Sequence, residues 1–201
     1  MKPGFFDPLK FNLKPGHFDH ESRLHGINHT YRVMCHTLIL GQALNLKREM
    51  RLAFCSAFIH DMSRKHDGFC TMHGLWASER KLPVFAEFFI SQGISEYELE
   101  EIRTAVRNHS ENFEIEKQNP FRKTAALLKD ADALDRVRLG RGNLDPAFLR
   151  FEPSISILPF SQELFQQTEW KSNHSFNDIL AIAVENRGTL PEEFREIDFT
   201  F

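Results

Sequence analysis

The stretch Leu52-Ala53-Phe54-Cys55-Ser56-Ala57-Phe58-Ile59-His60-Asp61 decides the reading of this sequence. Eight residues without a charge run directly into an imidazole and a carboxylate. The segment near 47–62 reads as a helix, and so continuous an apolar stretch predicts burial nearly all round. His60 and Asp61 then sit at the core boundary and not out in solvent.

Working outward, the pattern remains helical. Ile27, Tyr31, Met34, Leu38 and then Gly41 predict a helix over about 26–45. Residues 63–72, rich in Ser, Lys, His, Asp and Gly, read as a loop. A third helix starts near His73 and runs to Ile90, kinked or divided by Pro83. Gly93 ends it as a C-cap. Ser95 followed by Glu98 is a capping box that opens a fourth helix at about 96. Its stripe is Leu99, Ile102, Val106 and His109. A fifth helix spans roughly 120–138, with Pro120 in its first turn. Residues 161–170 and 175–187 are two further candidates. Upstream, Pro3, Gly4, Pro8, Pro15 and Gly16 break periodicity, so residues 1–20 read as an extended lead-in pinned by Phe5, Phe6 and Phe11. The fold class is all-α: a helical bundle of five or more helices, with a core over 21–140 and a less regular C-terminal extension over 141–201 that packs on it. Phe194, Phe199 and Phe201 are expected to cap the core from within the same chain.

Composition narrows the function classes. The chain has 201 residues, one domain's worth, and 20 of them are Phe, enough rings to fill a core without disulfides. The net charge of −3 gives no case for general nucleic-acid or membrane binding. No apolar run is long enough to span a bilayer. Cys35, Cys55 and Cys70 are an odd number without Cys-x-x-Cys spacing, which reads as three reduced thiols in a cytoplasmic protein. Gly-x-Gly-x-x-Gly, Walker A, Gly-x-Ser-x-Gly and His-Glu-x-x-His strings are absent.

The 10 histidines are the second outlier. His29 lies on the first helix, His60 and Asp61 end the second, and Asp132 interrupts the apolar stripe of the fifth. A carboxylate on such a stripe is costly unless it is paired or bound to a metal. Groups on three helices can converge between them, where bundles commonly build metal sites. The plainer alternative is a helix terminus, with Asp61 pairing Arg64 and His60 near the C-terminal dipole. His25, His29, Arg32 and His36 share about one helical face. His25 and Arg32 are the candidates to reach a substrate, and His36 is expected to pack.

Three strings carry a resemblance: His25-Gly26-Ile27-Asn28-His29-Thr30-Tyr31-Arg32-Val33, Phe58-Ile59-His60-Asp61 and Lys129-Asp130-Ala131-Asp132-Ala133-Leu134-Asp135. In order, spacing and local context the chain resembles the HD-domain superfamily of metal-dependent phosphohydrolases over about 20–140. The resemblance implies an all-helical bundle in which His29, His60, Asp61 and Asp132 hold a divalent ion (Mn, Ni, Co, Fe, Zn or Mg). Asp130 and Asp135 compete for the last position. Asp132 fits the string best, and Asp135 is expected to pair a basic side chain. His73 and His109 lie in further family-like strings and take either a second ion or phosphate, or else are buried hydrogen-bonded rings.

The activity so implied is hydrolysis of a nucleotide or other small phosphorylated metabolite by a metal-activated water. Asp61 orients that water and Arg64 binds a phosphate oxygen. The cluster Arg136, Arg138 and Arg141 is either a solvated face or a phosphate contact, and Lys65 is expected to be solvated. Two rivals stand beside it. The order His29, His60, Asp61, His73, His109, Asp132 also resembles HD-fold diiron oxygenases. A non-catalytic metal-binding ligand sensor would keep the same shell.

Overall fold

The fold is given by a computed structural model, which describes residues 6–140 and 142–197. In chain order the α-helices are α1 (Ile27–Ala43), α2 (Lys47–Ile59), α3 (His73–Arg80), α4 (Leu82–Ser91), α5 (Glu96–His109), α6 (Arg122–Leu134), α7 (Glu152–Ser156), α8 (Leu158–Thr168) and α9 (Phe176–Glu185). No strand occurs among the described residues. None of their helices is long and apolar enough to cross a membrane.

Every residue of α2 from Leu52 to Ile59 is buried, because α1, α5 and α6 pack around it. The aromatic excess closes its outer side. Phe11 is fully buried and meets Phe54, Phe58 and Phe88 at ring-centroid distances of 5.0, 5.3 and 4.8 Å, all edge-to-face. Each such pair contributes about 0.5–1.5 kcal/mol beyond area burial. The lead-in is therefore part of the core. It also departs from a continuous extended chain, with short 3-10 turns at Pro8–Lys10 and Pro15–His17. Phe5, Arg141, Phe199 and Phe201 lie outside the described residues, and Phe194 packs half-buried against the core.

Pro83 divides the predicted third helix instead of kinking it. Its nitrogen has no hydrogen to give the preceding turn, so α3 stops at Arg80 and α4 restarts at Leu82 with Pro83 in its first turn. Ser95 and Glu98 cap α5 reciprocally as expected. Gly93 takes φ 82° at the end of α4, a conformation that favours glycine. Helix α6 begins two residues after Pro120 and tightens at its far end into a 3-10 helix, Asp135–Leu139. Helices α8 and α9 pack on α1.

His36 lies in the core with Nδ1 3.3 Å from the Ala131 carbonyl and Nε2 without a partner. Burial, against a weaker pull from Asp135, depresses its pKa to about 4. The unfolded chain therefore binds a proton that the folded one refuses between about pH 6.5 and 4, and stability falls as pH drops through that window. We expect His36→Leu to flatten this acid limb. The stability gap between variant and wild type should grow by up to about 3 kcal/mol from pH 7 to pH 4 in denaturant titrations. Parallel curves would refute the assignment.

Candidate metal centre

The end of α2, the first turns of α1 and the last turn of α6 converge on one point. His29 Nε2 lies 3.2 Å from His60 Nε2, 3.4 Å from Asp61 Oδ2 and 3.3 Å from Asp132 Oδ1. His60 Nε2 lies 3.6 Å from Asp61 Oδ2 and 4.0 Å from Asp132 Oδ1. Donors about 2.0–2.2 Å from one ion, at angles between right and tetrahedral, stand about 2.8–3.6 Å apart. Four of the five separations fall in that range, and the fifth corresponds to a wider angle.

The tautomers strengthen this fit. His60 Nδ1 is 2.6 Å from the Ala57 carbonyl, and His29 Nδ1 is 2.7 Å from Asp135 Oδ2. Neither acceptor carries a hydrogen, so each Nδ1 must supply it, and in the neutral ring Nε2 turns its lone pair inward. Two facing lone pairs cannot bond to each other, so a cation belongs between them. Burial pushes His60 down to about 3, which keeps the ring neutral and fit to ligate. Burial and Arg138 oppose a charge on His29, but Asp132, Asp135 and Asp61 override them and raise it to about 9. The carboxylates thus draw positive charge to His29 Nε2, a proton in the absence of an ion, and a bound cation would take that proton's place.

A second trio adjoins the first. His73 Nδ1 faces the Cys70 carbonyl at 2.8 Å and His109 Nδ1 the Val106 carbonyl at 2.6 Å. Their Nε2 atoms meet at 2.9 Å, with Asp61 Oδ1 3.1 Å from His73 and 3.7 Å from His109. Gly74 permits this approach of α3 to α5, since a Cβ there would lie 2.5 Å from the Val106 carbonyl. One oxygen of Asp61 thus faces His29 and His60, and the other faces His73 and His109. Burial opposes the Asp61 charge, yet His60, His109, His25 and His29 hold its carboxyl well below the ordinary range. Asp132 is held down likewise, by its bond to His29 against burial.

The remaining expected residues divide. His25 Nδ1 lies 2.9 Å from Asp61 Oδ2, and its Nε2 has no hydrogen-bond partner among the described residues. Arg64 Nε is 3.0 Å from Asp61 Oδ1, and its NH1 donates to the Gly68 carbonyl. Arg32 departs from its expected contact with substrate. It is buried, and its guanidinium forks onto Asp135 at 2.5 and 2.9 Å and donates to Thr168 Oγ1. Facing the solvent gap required a free fork, and the Asp135 carboxylate fills it. Asp130 is likewise occupied, by Arg150, the Phe151 amide and Ser154.

Of the Arg136–Arg138–Arg141 cluster, Arg138 is neither solvated nor free. It donates to the Leu24 and Asp135 carbonyls and lies 3.2 Å from His25 Nδ1. Exposed Arg136 holds the Asn143 carbonyl. Lys65 is exposed, as expected, and pairs with Asp19 at 2.9 Å. Two participants escaped the sequence reading. Asn28 binds the Thr168 and Lys171 carbonyls and the His174 amide, and Thr168 seats Arg32. No spacing marks either.

The family model for the HD domain matches residues 26–137. The chain belongs to the HD domain family. The match contains all six clustered ligand candidates. No curated protein and no solved structure matches the chain significantly.

The two neighbouring aspartates on α6 give a direct check. Asp132→Ala should lower Mn2+ affinity more than about tenfold with little change in melting temperature in chelator. Asp130→Ala should do the reverse, because it strands buried donors of Arg150, Phe151 and Ser154. Equilibrium dialysis with metal analysis, alongside thermal melts, separates the two. Equal metal loss in both variants would refute the ligand assignment.

Proposed function

We propose that this HD domain protein hydrolyses a small phosphoester, a nucleotide or another phosphorylated metabolite, with one or two divalent ions held by His29, His60, Asp61, Asp132, His73 and His109. The observation that carries this reading is the pair of facing histidine Nε2 atoms on either side of one shared carboxylate. A bound divalent ion supplies a water that ionises near neutral pH and withdraws charge from a phosphoryl oxygen.

The chain's own residues divide the remaining work. Asp132 is the ligand with most of its side chain reachable, 28% exposed against 3% or less for His29, His60 and Asp61. Substrate therefore approaches from its side. Asp61 accepts a hydrogen bond from the attacking water and orients it. Arg64 keeps an NH2 group without a hydrogen-bond partner among the described residues, beside two occupied nitrogens, and donates it to a phosphoryl oxygen. Asp61 takes the Nδ1 hydrogen of His25, so it is the protonated ring that gives its Nε2 hydrogen to the leaving oxygen and returns to neutral. Arg138 borders that ring and holds the preceding Leu24 carbonyl. The three unpaired cysteines, two of them buried, suit a reducing, cytoplasmic setting.

The shared carboxylate also favours a second reading, a diiron oxygenase on the same six residues. Metal identity and stoichiometry in protein purified without chelator discriminate. Mn, Co, Ni, Zn or Mg with turnover on a phosphoester panel supports the hydrolase. Two irons per chain with oxygen consumption supports the oxygenase. A tightly bound metabolite with no turnover supports a sensor.

For the hydrolase, Asp61→Asn should lower kcat by at least about 10³-fold, since water orientation and charge stabilisation fail together. His25→Gln should lower kcat by about 10²-fold for substrates with poor leaving groups, and much less for activated aryl phosphates. Equal loss on both substrate classes would refute proton donation by His25.

A further inference from the structure

His29 is oriented by a chain of buried groups that leaves the family-matched segment. Its Nδ1 bonds Asp135 Oδ2 at 2.7 Å. Arg32 clamps the two oxygens of Asp135. The third guanidinium nitrogen of Arg32 donates to Thr168 Oγ1 at 3.2 Å, and the Phe165 ring lies 5.2 Å beneath its carbon. His29, Asp135 and Thr168 are fully buried, and Arg32 is 3% exposed. Thr168 gives its own hydrogen to the Leu164 carbonyl at 2.6 Å, so its lone pair is turned to Arg32. A second tie runs alongside, where Asn28, the neighbour of His29, binds the Thr168 and Lys171 carbonyls.

The physics of this chain is directional. A ligating imidazole needs its far nitrogen held by an acceptor that fixes ring plane and tautomer. Asp135 is that acceptor, and Arg32 fixes the position of both its oxygens. Arg32 keeps its fork geometry best while NH1, the nitrogen outside the fork, has an acceptor of its own, since an unpaired buried donor pulls toward another partner. Thr168 is the group that satisfies it, and it belongs to α8, beyond residue 137 where the family match ends.

We propose that the C-terminal segment is a structural part of the metal centre and that Thr168 is a positioning residue for His29. Through Arg32 and Asp135 it sets the affinity of the His29–His60–Asp61–Asp132 set for a divalent ion. The inference rests on the metal-centre reading given above. It holds for hydrolase and oxygenase chemistry alike, because it concerns ligand orientation and not the reaction.

The test uses the full chain and Mn2+ as the probe, with binding read from the loss of the free-ion paramagnetic signal. Thr168→Val keeps the shape and deletes the acceptor. Thr168→Ser keeps the acceptor and deletes a methyl. Thr168→Val should weaken Mn2+ binding by about 3–10-fold, one step short of the loss expected for a direct partner of a ligand. Thr168→Ser should restore it to near wild type. Wild-type affinity in Thr168→Val overturns the proposal, even if its melting temperature falls. Equal weakening in both variants also overturns it, since packing and not the hydrogen bond would then matter. His29→Ala guards the underlying reading: if that variant binds Mn2+ as wild type does, the metal-centre assignment itself fails, whatever Thr168 does.

Discussion

The carboxylate of Asp61 lies in the interior at 3% side-chain exposure with five histidine rings around it. His25, His73, His29, His60 and His109 approach it at 2.9, 3.1, 3.4, 3.6 and 3.7 Å. An ionised carboxylate taken out of water costs several kcal/mol unless positive charge or hydrogen bonds replace the lost solvent. Arg64 at 3.0 Å provides one such partner. The neutral rings that turn lone pairs inward do not. The turn before α1 together with α1, α3, α5 and the end of α2 delivers these side chains, so their relative positions are tied to whatever satisfies Asp61. The apolar wrapping of α2 makes the demand acute, because no solvent reaches its end from the core side.

Backbone carbonyls set the rings' orientation. His60, His73 and His109 each give Nδ1 to the carbonyl three residues earlier. For His60 and His109 that carbonyl belongs to the last turn of a helix, where such groups lack partners within the helix. A histidine placed at a helix end thus meets a local need and fixes its own tautomer, which frees Nε2 for a ligand. His29 sits in the first turns of α1, where no carbonyl plays this part. It depends instead on Asp135 and Arg32, and so on the distant chain that seats them.

This difference explains what could be read from the sequence. The helices that shape the centre follow from periodicity and punctuation, and the break at Pro83, the Gly93 terminus and the Ser95–Glu98 cap are each local effects. His60-Asp61 at the end of an unbroken apolar run and Asp132 within an apolar stripe marked candidates, and the resemblance of the local strings to the HD-domain superfamily made them a ligand set. Arg32 was misread for a physical reason. Sharing a helical face with His29 says which way a side chain points, but not which partner waits there, and Asp135 is 103 residues away. Arg138, read as solvated or as a phosphate contact, instead meets the chain at Leu24, 114 residues away. Thr168 and Asn28 carry no spacing signal at all.

Long-range ties also determine how the centre is enclosed. Asp19 receives the side chains of Lys65 and Lys81 and donates its amide to the Met62 carbonyl. The residues before α1 are thereby strapped across the end of α2, with Ser22 bonded to Asp67 in the loop beyond. Arg138 fastens the Leu24 carbonyl from the opposite side. The collar leaves the face beside Asp132 as the reachable one. A site closed on its core side by Phe-rich packing and on its flanks by ion pairs excludes bulk water, and that strengthens every charge interaction inside. The ion pairs around the rim therefore act on the chemistry through the dielectric they enforce, beyond any small contribution to stability that surface pairs make.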